Sequence, residues 1–357
     1  MGSILVVNAG STSLKLSLVA EDETATHVDA LEDVDPAAVD AVAHRVVHGG
    51  SGLREPALID EAVRAEILAL QSLAPLHNAP ALAGIASAEQ ALPDAVHVAV
   101  FDTAFHATIP DTAATYAVPA RWRDEWGVRR YGFHGLSVAW SAERAPQLLG
   151  RHPDGLRLVV CHLGGGSSIT ALRAGRSVDT SMGFSPLEGV PMTTRSGSVD
   201  PGALLYLLSG RRERRETIDH TLNFESGLKA LAGGSGTMLE LQERAEDGDP
   251  DAVLALDVFT LRVAGAVAAM AVSAGGLDAL VFTAGIGEGS ALVRERVCNR
   301  LAFLGVELDE RANHTVEPDC DVAAKASPVR VLVIRAREEL VAARGARVVL
   351  ERRRAGD

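Results

Sequence analysis

Two stretches of this chain follow one plan, and a chain that carries the plan twice has few folds open to it. The first is Ser3 to Ala20, SILVVNAGSTSLKLSLVA; the second is Leu158 to Thr170, LVVCHLGGGSSIT. Each begins as a run of apolar β-formers, breaks into small polar residues and glycine, then resumes an apolar run. A short apolar run bounded by turn residues reads as a buried strand. Because the apolar run resumes, each break reads as the tip of a hairpin rather than a strand-to-helix phosphate loop. In the second copy, Gly164, Gly165 and Gly166 let the backbone turn tightly and come close to a ligand. Bare N–H groups with the Ser167 and Ser168 hydroxyls make a concavity suited to phosphate oxygens. Either string alone is also an ordinary glycine turn. Two copies, one per half, predict a duplicated fold with a ligand between the halves.

The chain has 357 residues, 47% of them hydrophobic, which leaves room for two domains. Aromatics are only 4% while Ala, Val, Leu and Gly dominate, so an α/β protein with small-residue helix–sheet packing is expected. A formal net charge of -13 argues against nucleic acid as a partner, since phosphate neutralisation needs a basic face. It leaves open a small anion bound by local arginines. Three cysteines without CxxC spacing fit a reducing, cytoplasmic compartment. Met1 runs into Ile4–Val7 with no basic leader, so no signal peptide is expected. The longest apolar run, Val263 to Leu277, is shorter than the ~20 residues that span a bilayer, and reads as a core helix with no membrane partner.

Between the two hairpins, Glu21 to Asp40 reads as a short polar connection. Val42 to Gly50 reads as a strand that holds Arg45 and His48 among apolar neighbours. A charge in such a run needs an anion or a carboxylate, and a structural ion pair is the alternative. Asp60 to Leu73 has helical spacing. Pro75 and Pro80 frame a loop presenting His77 and Asn78, followed by a helix from Ala81 to Ala91. His97 to Phe101 is a strand, and Asp102 stands at its C-terminal end, where open α/β sheets place their chemistry. The glycine-framed turn Tyr131–Gly135 presents His134 ahead of a helix from Leu136 to Leu149.

Ser177 to Gly202 is too long and too apolar to be an idle loop, and Arg195 is its best anion ligand. Ala230 to Gly236 reads as a glycine-rich loop and Asp251 to Ala274 as a long helix. The strand Ala279–Phe282 enters a glycine turn, Thr283 to Ser290, ahead of a helix from Ala291 to Leu304. Val329 to Ile334 is the last strand, and a helix from Leu340 to Arg353 follows Arg337, Glu338 and Glu339. Walker A, GxGxxG and GxSxG motifs are absent, as is a metal-type histidine cluster. Glycine turns, isolated arginines, a loop histidine and acids at strand ends suit phosphoryl transfer, which is mostly positioning and charge neutralisation.

In this order, VVNAGSTSLK, HRVVHGG, LAPLHN, VFDTAFH, YGFHG, HLGGGSS, SVDTSMGFSPLEG with TRSG, FTAGIGE and EELVAAR resemble the acetate kinase family, within the sugar kinase, Hsc70 and actin superfamily. The resemblance implies a duplicated ribonuclease-H-like fold of two domains with central mixed sheets and an interdomain cleft. The expected boundaries are 1–104 plus 339–357 for a trimmed first domain and 105–338 for the second, nucleotide-side domain. It implies Mg²⁺-dependent (or Mn²⁺-dependent), reversible in-line phosphoryl transfer from ATP to acetate, giving acetyl phosphate and ADP, by a homodimer.

Carried over residue by residue, Arg45 and Arg195 would hold the carboxylate and the phosphoryl group in flight. His134 would stabilise that group, and Asp102 would be the acid/base or a Mg²⁺-organising carboxylate. Asn8 and Glu338 would face the metal. Ser11, Ser13 and Lys15 would line the phosphate path with His162, Leu163, Gly164, Gly165 and Gly166. Gly285, Ile286, Gly287, Glu288 and Gly289 would line the nucleotide, with Thr237, Met238 and Leu239 on the adenine side. Val47, Leu76, Phe133 and Pro186 would form the methyl pocket.

The chain departs from the family pattern at several of these positions. Gly165 and Gly289 stand where asparagine is usual, and Thr237 and Leu239 where an acid and an arginine are. Val138 replaces a second histidine, Ser198 an acid, and the Lys15–Arg45 segment is short. The acetate side is intact while the nucleotide side is altered. That leaves two other readings: transfer from pyrophosphate or another nucleotide, or a catalytically weak metabolite-binding homologue.

Overall fold

The computed structural model describes residues 2–9, 14–72 and 75–356, excluding the side chains of Ser72 and 75–77. Twelve described strands form two six-stranded sheets. The first contains β1 (Ser3–Ala9), β2 (Leu14–Val19), β3 (Ala25–Val28), β4 (Val39–Val46), β5 (Ala57–Leu58) and β6 (Val96–Phe101), in the order β3-β2-β1-β4-β6-β5. The second contains β7 (Arg157–Leu163), β8 (Ser167–Arg173), β9 (Arg176–Thr180), β10 (Ala279–Thr283), β11 (Cys320–Asp321) and β12 (Arg330–Val333), in the order β11-β12-β10-β7-β8-β9.

The two sheets match strand for strand. β1, β2 and β3 form an antiparallel meander, as do β7, β8 and β9. A parallel strand then joins the first of each meander, β4 beside β1 and β10 beside β7, and a second follows, β6 and β12. Each sheet ends on a two-residue antiparallel edge strand, β5 or β11. The repeat of two hairpins is thus a repeat of the whole sheet. This is the duplicated ribonuclease-H-like fold. The Gly164–Gly166 tip joins β7 to β8, with Leu163 opposite Ser167.

Buried strands need apolar cover on both faces. Helix Pro250–Ala274 covers one face of the second sheet through Ala252, Ala255, Phe259, Val263 and Val267, as the sequence predicts for a core helix. It is long and apolar enough by composition to cross a membrane, but this inner face is core. Helix Gly135–Leu149 covers the other face. Helix Glu338–Ala355 lies on the first sheet, with Leu340, Ala343 and Ala346 against Ile4, Val6, Ala41 and Val98. Helices Glu61–Ala69 and Pro75–Ala91 lie behind it.

Four sequence expectations change. Glu21–Asp40 is not a plain connection: it contains β3, a half-exposed edge strand whose polar Thr26 and His27 hide the strand pattern. The proline-framed loop at 75–80 is the start of helix Pro75–Ala91, with Pro75 at its first position, where a missing N–H costs nothing. Within Ala230–Gly236, the first residues belong to helix Gly227–Ala232. The expected glycine turn at Thr283–Ser290 is a short helix, Ala284–Gly289, followed at Ala291 by the next.

Candidate active site

Parallel pairing sets Arg45 of β4 opposite Val100 of β6, so Asp102, just past the end of β6, comes alongside the Arg45 side chain. The pair is bidentate: Arg45 Nε lies 3.0 Å from Asp102 Oδ1, and Nη2 lies 2.6 Å from Oδ2. Arg45 Nη1 faces Asn8 Oδ1 at 3.2 Å and Glu338 Oε2 at 3.4 Å. Burial opposes the Arg45 charge, but Asp102 and Glu338 outweigh it and hold the guanidinium above its usual pKa. Burial pushes the Asp102 carboxyl up, with Glu338 adding to it and Arg45 pulling against it.

Asn8 and Lys15 are cross-strand partners on β1 and β2. Together with Val6, Ser17, Arg45, Leu136, Glu338 and Glu339 they line a cavity of about 180 Å³. Ser17 and Glu339 escaped the sequence reading. Strand alternation from Lys15 puts Ser17 on the same face, and Glu339, whose carboxyl burial raises, is the neighbour of Glu338. Ser11 and Ser13 lie outside the described residues.

The turn before helix Gly135–Leu149 has a steric cause. A Cβ on Gly135 would run into the Asp102 carbonyl, whose oxygen accepts from the Gly135 N–H at 3.0 Å. His134, one residue earlier, is left-handed at φ 58°, a backbone state that costs a non-glycine residue about 1 kcal/mol or more. Its ring stacks on His162 of β7 with centroids 4.0 Å apart. Each Nδ1 faces a serine hydroxyl: His134 at 3.1 Å from Ser168 Oγ, His162 at 2.8 Å from Ser137 Oγ. Burial is the first cause that keeps both rings neutral: with the neighbouring His162 and then Arg45 adding to it, His134 lies well below its usual pKa, and with Arg45 adding to it, His162 is pushed down to about 4.

Two side chains of the second half converge on the hairpin tip. A Cβ placed on Gly166 would lie 3.2 Å from His134 Nε2 and 3.5 Å from Arg195 Nη1. Arg195, whose pKa burial lowers, also donates from Nη1 to the Pro186 carbonyl at 3.1 Å. Val47 and Phe133 pack into one small buried cluster with Met182 and Met192. The two methionines were not assigned to the pocket from the sequence, although Met182 stands within SVDTSMGFSPLEG, because an apolar residue in a loop does not show what it packs against. Pro186 is buried beside Arg195, and the Leu76 side chain lies outside the described residues.

On the expected nucleotide side some assignments need correcting. Leu163 and Met238 point their side chains into the second-sheet core, and Ile286 packs against it. For the buried Leu163 and Met238 only the backbone can reach a ligand. Glu288 accepts from the Ala336 N–H at 2.9 Å, so its carboxylate holds the segment leading to Glu338. Thr237 and Leu239 are exposed, and a Cβ on Gly165, Gly285 or Gly289 would meet nothing within 4 Å. Gly287 packs close to the β10 backbone. The buried Thr283 hydroxyl, where β10 enters the glycine helix, has no hydrogen-bond partner among the described residues.

Residues 25–344 match the model of the acetokinase family. The chain belongs to that family. It is 48% identical over 301 residues to an acetate kinase of Nostoc punctiforme, an alignment covering 84% of this chain and 74% of that protein. It is 50% identical over 314 residues to one from Deinococcus deserti, covering 87% and 78%. Its structure superposes on a propionate kinase from Francisella tularensis with a TM-score of 0.88 at 35% identity, covering 97% of this chain and 99% of that one. An acetate kinase from Porphyromonas gingivalis gives 0.86 at 32% identity.

Proposed function

We propose that this member of the acetokinase family is an acetate kinase, a phosphotransferase with a carboxyl group as acceptor. It moves the terminal phosphoryl group of ATP to acetate and runs the reverse from acetyl phosphate and ADP. The observation that carries this reading is the convergence of His134 Nε2 and Arg195 Nη1 on Gly166 at the phosphate hairpin, beside the Arg45–Asp102 pair. A carboxylate oxygen attacks the phosphorus in line, and the bond to the ADP oxygen breaks as the new one forms. Charge spreads over three equatorial oxygens, so fixed donors aimed at them lower the barrier. Arg195 supplies a cation and neutral His134 a ring nitrogen. Acetate is already ionised near neutral pH, so no base has to remove a proton. Asp102 then acts by holding Arg45 rather than by moving a proton. Val47, Phe133, Met182 and Met192 bury the methyl group.

Mg²⁺ (or Mn²⁺) fits the donor chemistry at the cavity beside Arg45. Asn8 Oδ1 and Glu338 Oε2 are hard oxygen donors aimed at the same guanidinium nitrogen, and Mg²⁺ needs only one or two carboxylates when phosphates and water complete its shell. Among the described residues no group of three or more His, Cys, Asp or Glu forms a ready-made cage. Bound there, the ion would neutralise phosphate oxygens.

One observation favours a second reading of the donor. Gly165 and Gly289 leave open space where the family pattern has asparagine side chains, so pyrophosphate or another nucleotide competes with ATP for this site. Trapping acetyl phosphate as its hydroxamate, with ATP, GTP and pyrophosphate supplied separately, tests both. Product with ATP supports the main reading; product only with another donor replaces it; none with any donor ends the kinase reading.

We also place the domain boundary as the two sheets suggest, 1–104 with 339–357 against 105–338, and the enzyme in the cytoplasm as a homodimer. Helix Pro201–Gly210 supports the dimer. It has no buried residue, although Leu205, Tyr206 and Leu208 lie on it, and Leu205 is 66% exposed. Helix Pro250–Ala274 adds Leu261 and Val272, the latter 81% exposed.

A further inference from the structure

We propose that Tyr116, Arg130 and Glu188 form a positioning clamp that sets the depth of the acyl pocket, and with it the chain length of the carboxylate accepted. This inference rests on the carboxylate-kinase reading above. The segment Ser181–Asp200 contains no helix or strand, so side-chain bonds must fix its path. Arg130 Nη1 donates to three consecutive carbonyls, Thr180 at 2.8 Å, Ser181 at 3.2 Å and Met182 at 3.1 Å. The Tyr131 N–H takes the next carbonyl, Gly183, at 3.0 Å. The Tyr116 hydroxyl accepts from the Phe184 N–H at 2.9 Å. Every residue from 180 to 184 is therefore held through its backbone.

Glu188 closes the clamp. Its Oε1 receives Arg130 Nη2 at 3.0 Å, and its Oε2 receives the Tyr116 hydroxyl. Burial first, then Glu188, pushes the Tyr116 pKa up, which keeps the hydroxyl protonated as the donor. A Cβ at Gly183 would run into both the Glu188 carboxylate and the Tyr116 oxygen, so the closed clamp requires glycine there. The arginine side chain is 16% exposed, and an arginine fork bound to several acceptors at once is far more directional than a lone surface pair.

The clamp faces the chemistry on its inner side. Met182, whose carbonyl Arg130 holds, is a wall of the acyl cluster. Phe133, another wall, lies three residues after Arg130. Pro186, between Phe184 and Glu188, receives Arg195 Nη1. Loosening the outer bonds lets the Met182 wall retreat, so a longer acyl chain fits and acetate is held less firmly. One methylene in such a pocket changes kcat/KM by about 10-fold or more, so a modest retreat is readable.

The test compares Tyr116→Phe, Glu188→Ala and the conservative Glu188→Gln, each checked for folding by its melting curve. kcat/KM is measured for acetate, propionate and butyrate, and KM for ATP alongside. The expected result is a rise of about 5-fold or more in the propionate-to-acetate ratio for Tyr116→Phe and Glu188→Ala. KM for ATP should stay within about twofold, and Glu188→Gln should sit near the parent, because an amide still accepts from Arg130. An unchanged ratio, with all carboxylates losing rate equally, overturns the clamp. If Glu188→Ala fails to fold, Tyr116→Phe alone decides. Thermal protection by acetate, propionate and butyrate is read in parallel. A parent enzyme without turnover refutes the kinase reading, while an altered order of protection in the variants still supports the clamp and an unaltered order refutes it.

Discussion

At the scale of single residues, the site depends on which charges are buried and which are paired. Asp102 is buried and bidentate to Arg45, so Asp102→Asn leaves a buried guanidinium with Glu338 as its remaining ion-pair partner. Breaking such a pair costs about 3–5 kcal/mol. Urea unfolding should show a loss of that order, and turnover at saturating substrate should fall at least about 100-fold. A variant with parental stability and rate would remove Asp102 from the site. Burial also lowers His44 to about 3, and lowers His48 and His106, which pack against Phe133, to about 4, against an ordinary 6.5. In that window the unfolded chain binds more protons than the folded one, so stability is present above 6.5 and is lost as pH falls toward 4. The urea midpoint should decline over that range, and a flat midpoint would contradict the buried, neutral state. Arg45, Asp102 and His134 were legible because a charge in an apolar run, an acid at a strand end and a histidine between glycines each break a local pattern. Tyr116, Arg130 and Glu188 were not, because they break none; only the folded loop shows that three carbonyls point at one guanidinium.

At the scale of elements, strands and long helices followed from periodicity, and the differences fell where polar or helix-breaking residues overlie a regular element. β3 is half exposed and polar, and Ala284–Gly289 is a helix in which every second residue is glycine, held at its C-terminal end by Arg294 Nη1 on the Gly287 and Glu288 carbonyls at 2.9 and 2.7 Å. Local composition could not foresee that buried arginine's contribution. The hairpin tip offers a direct test of the donor side. Because a Cβ on Gly165 meets nothing within 4 Å and its φ is not left-handed, Gly165→Asn should fold with its melting temperature within a few degrees of the parent. We expect KM for ATP to fall several-fold while KM for acetate holds, in steady-state kinetics varying each substrate. An unchanged KM for ATP would mean that this tip does not govern donor affinity. Gly135→Ala should behave in the opposite way. Its Cβ collides with backbone, and the variant should lose both stability and turnover, seen together in a melting curve and an assay.

At the scale of the whole molecule, the duplication was suggested by two short strings, since an apolar run, a glycine break and a second apolar run specify a hairpin each time, while the strand order around each hairpin was not. The relation of the halves was not, because it depends on which helix covers which sheet. The unburied helix Pro201–Gly210 gives the clearest molecular prediction. Leu205→Asp should convert a dimer to a monomer in light scattering after size-exclusion chromatography, with the fold intact by circular dichroism. A parent already monomeric at micromolar concentration would refute the proposed homodimer. Helix Glu338–Ala355, which lies on the first sheet, has a further consequence in time. On the ribosome, β1 to β6 emerge early yet lack the residues that cover Ile4, Val6, Ala41 and Val98 until this helix has left the exit tunnel. Synthesis therefore runs from one end of the chain to the other, but the half made first is the half whose sheet face is covered last, after the second has its core helix Pro250–Ala274.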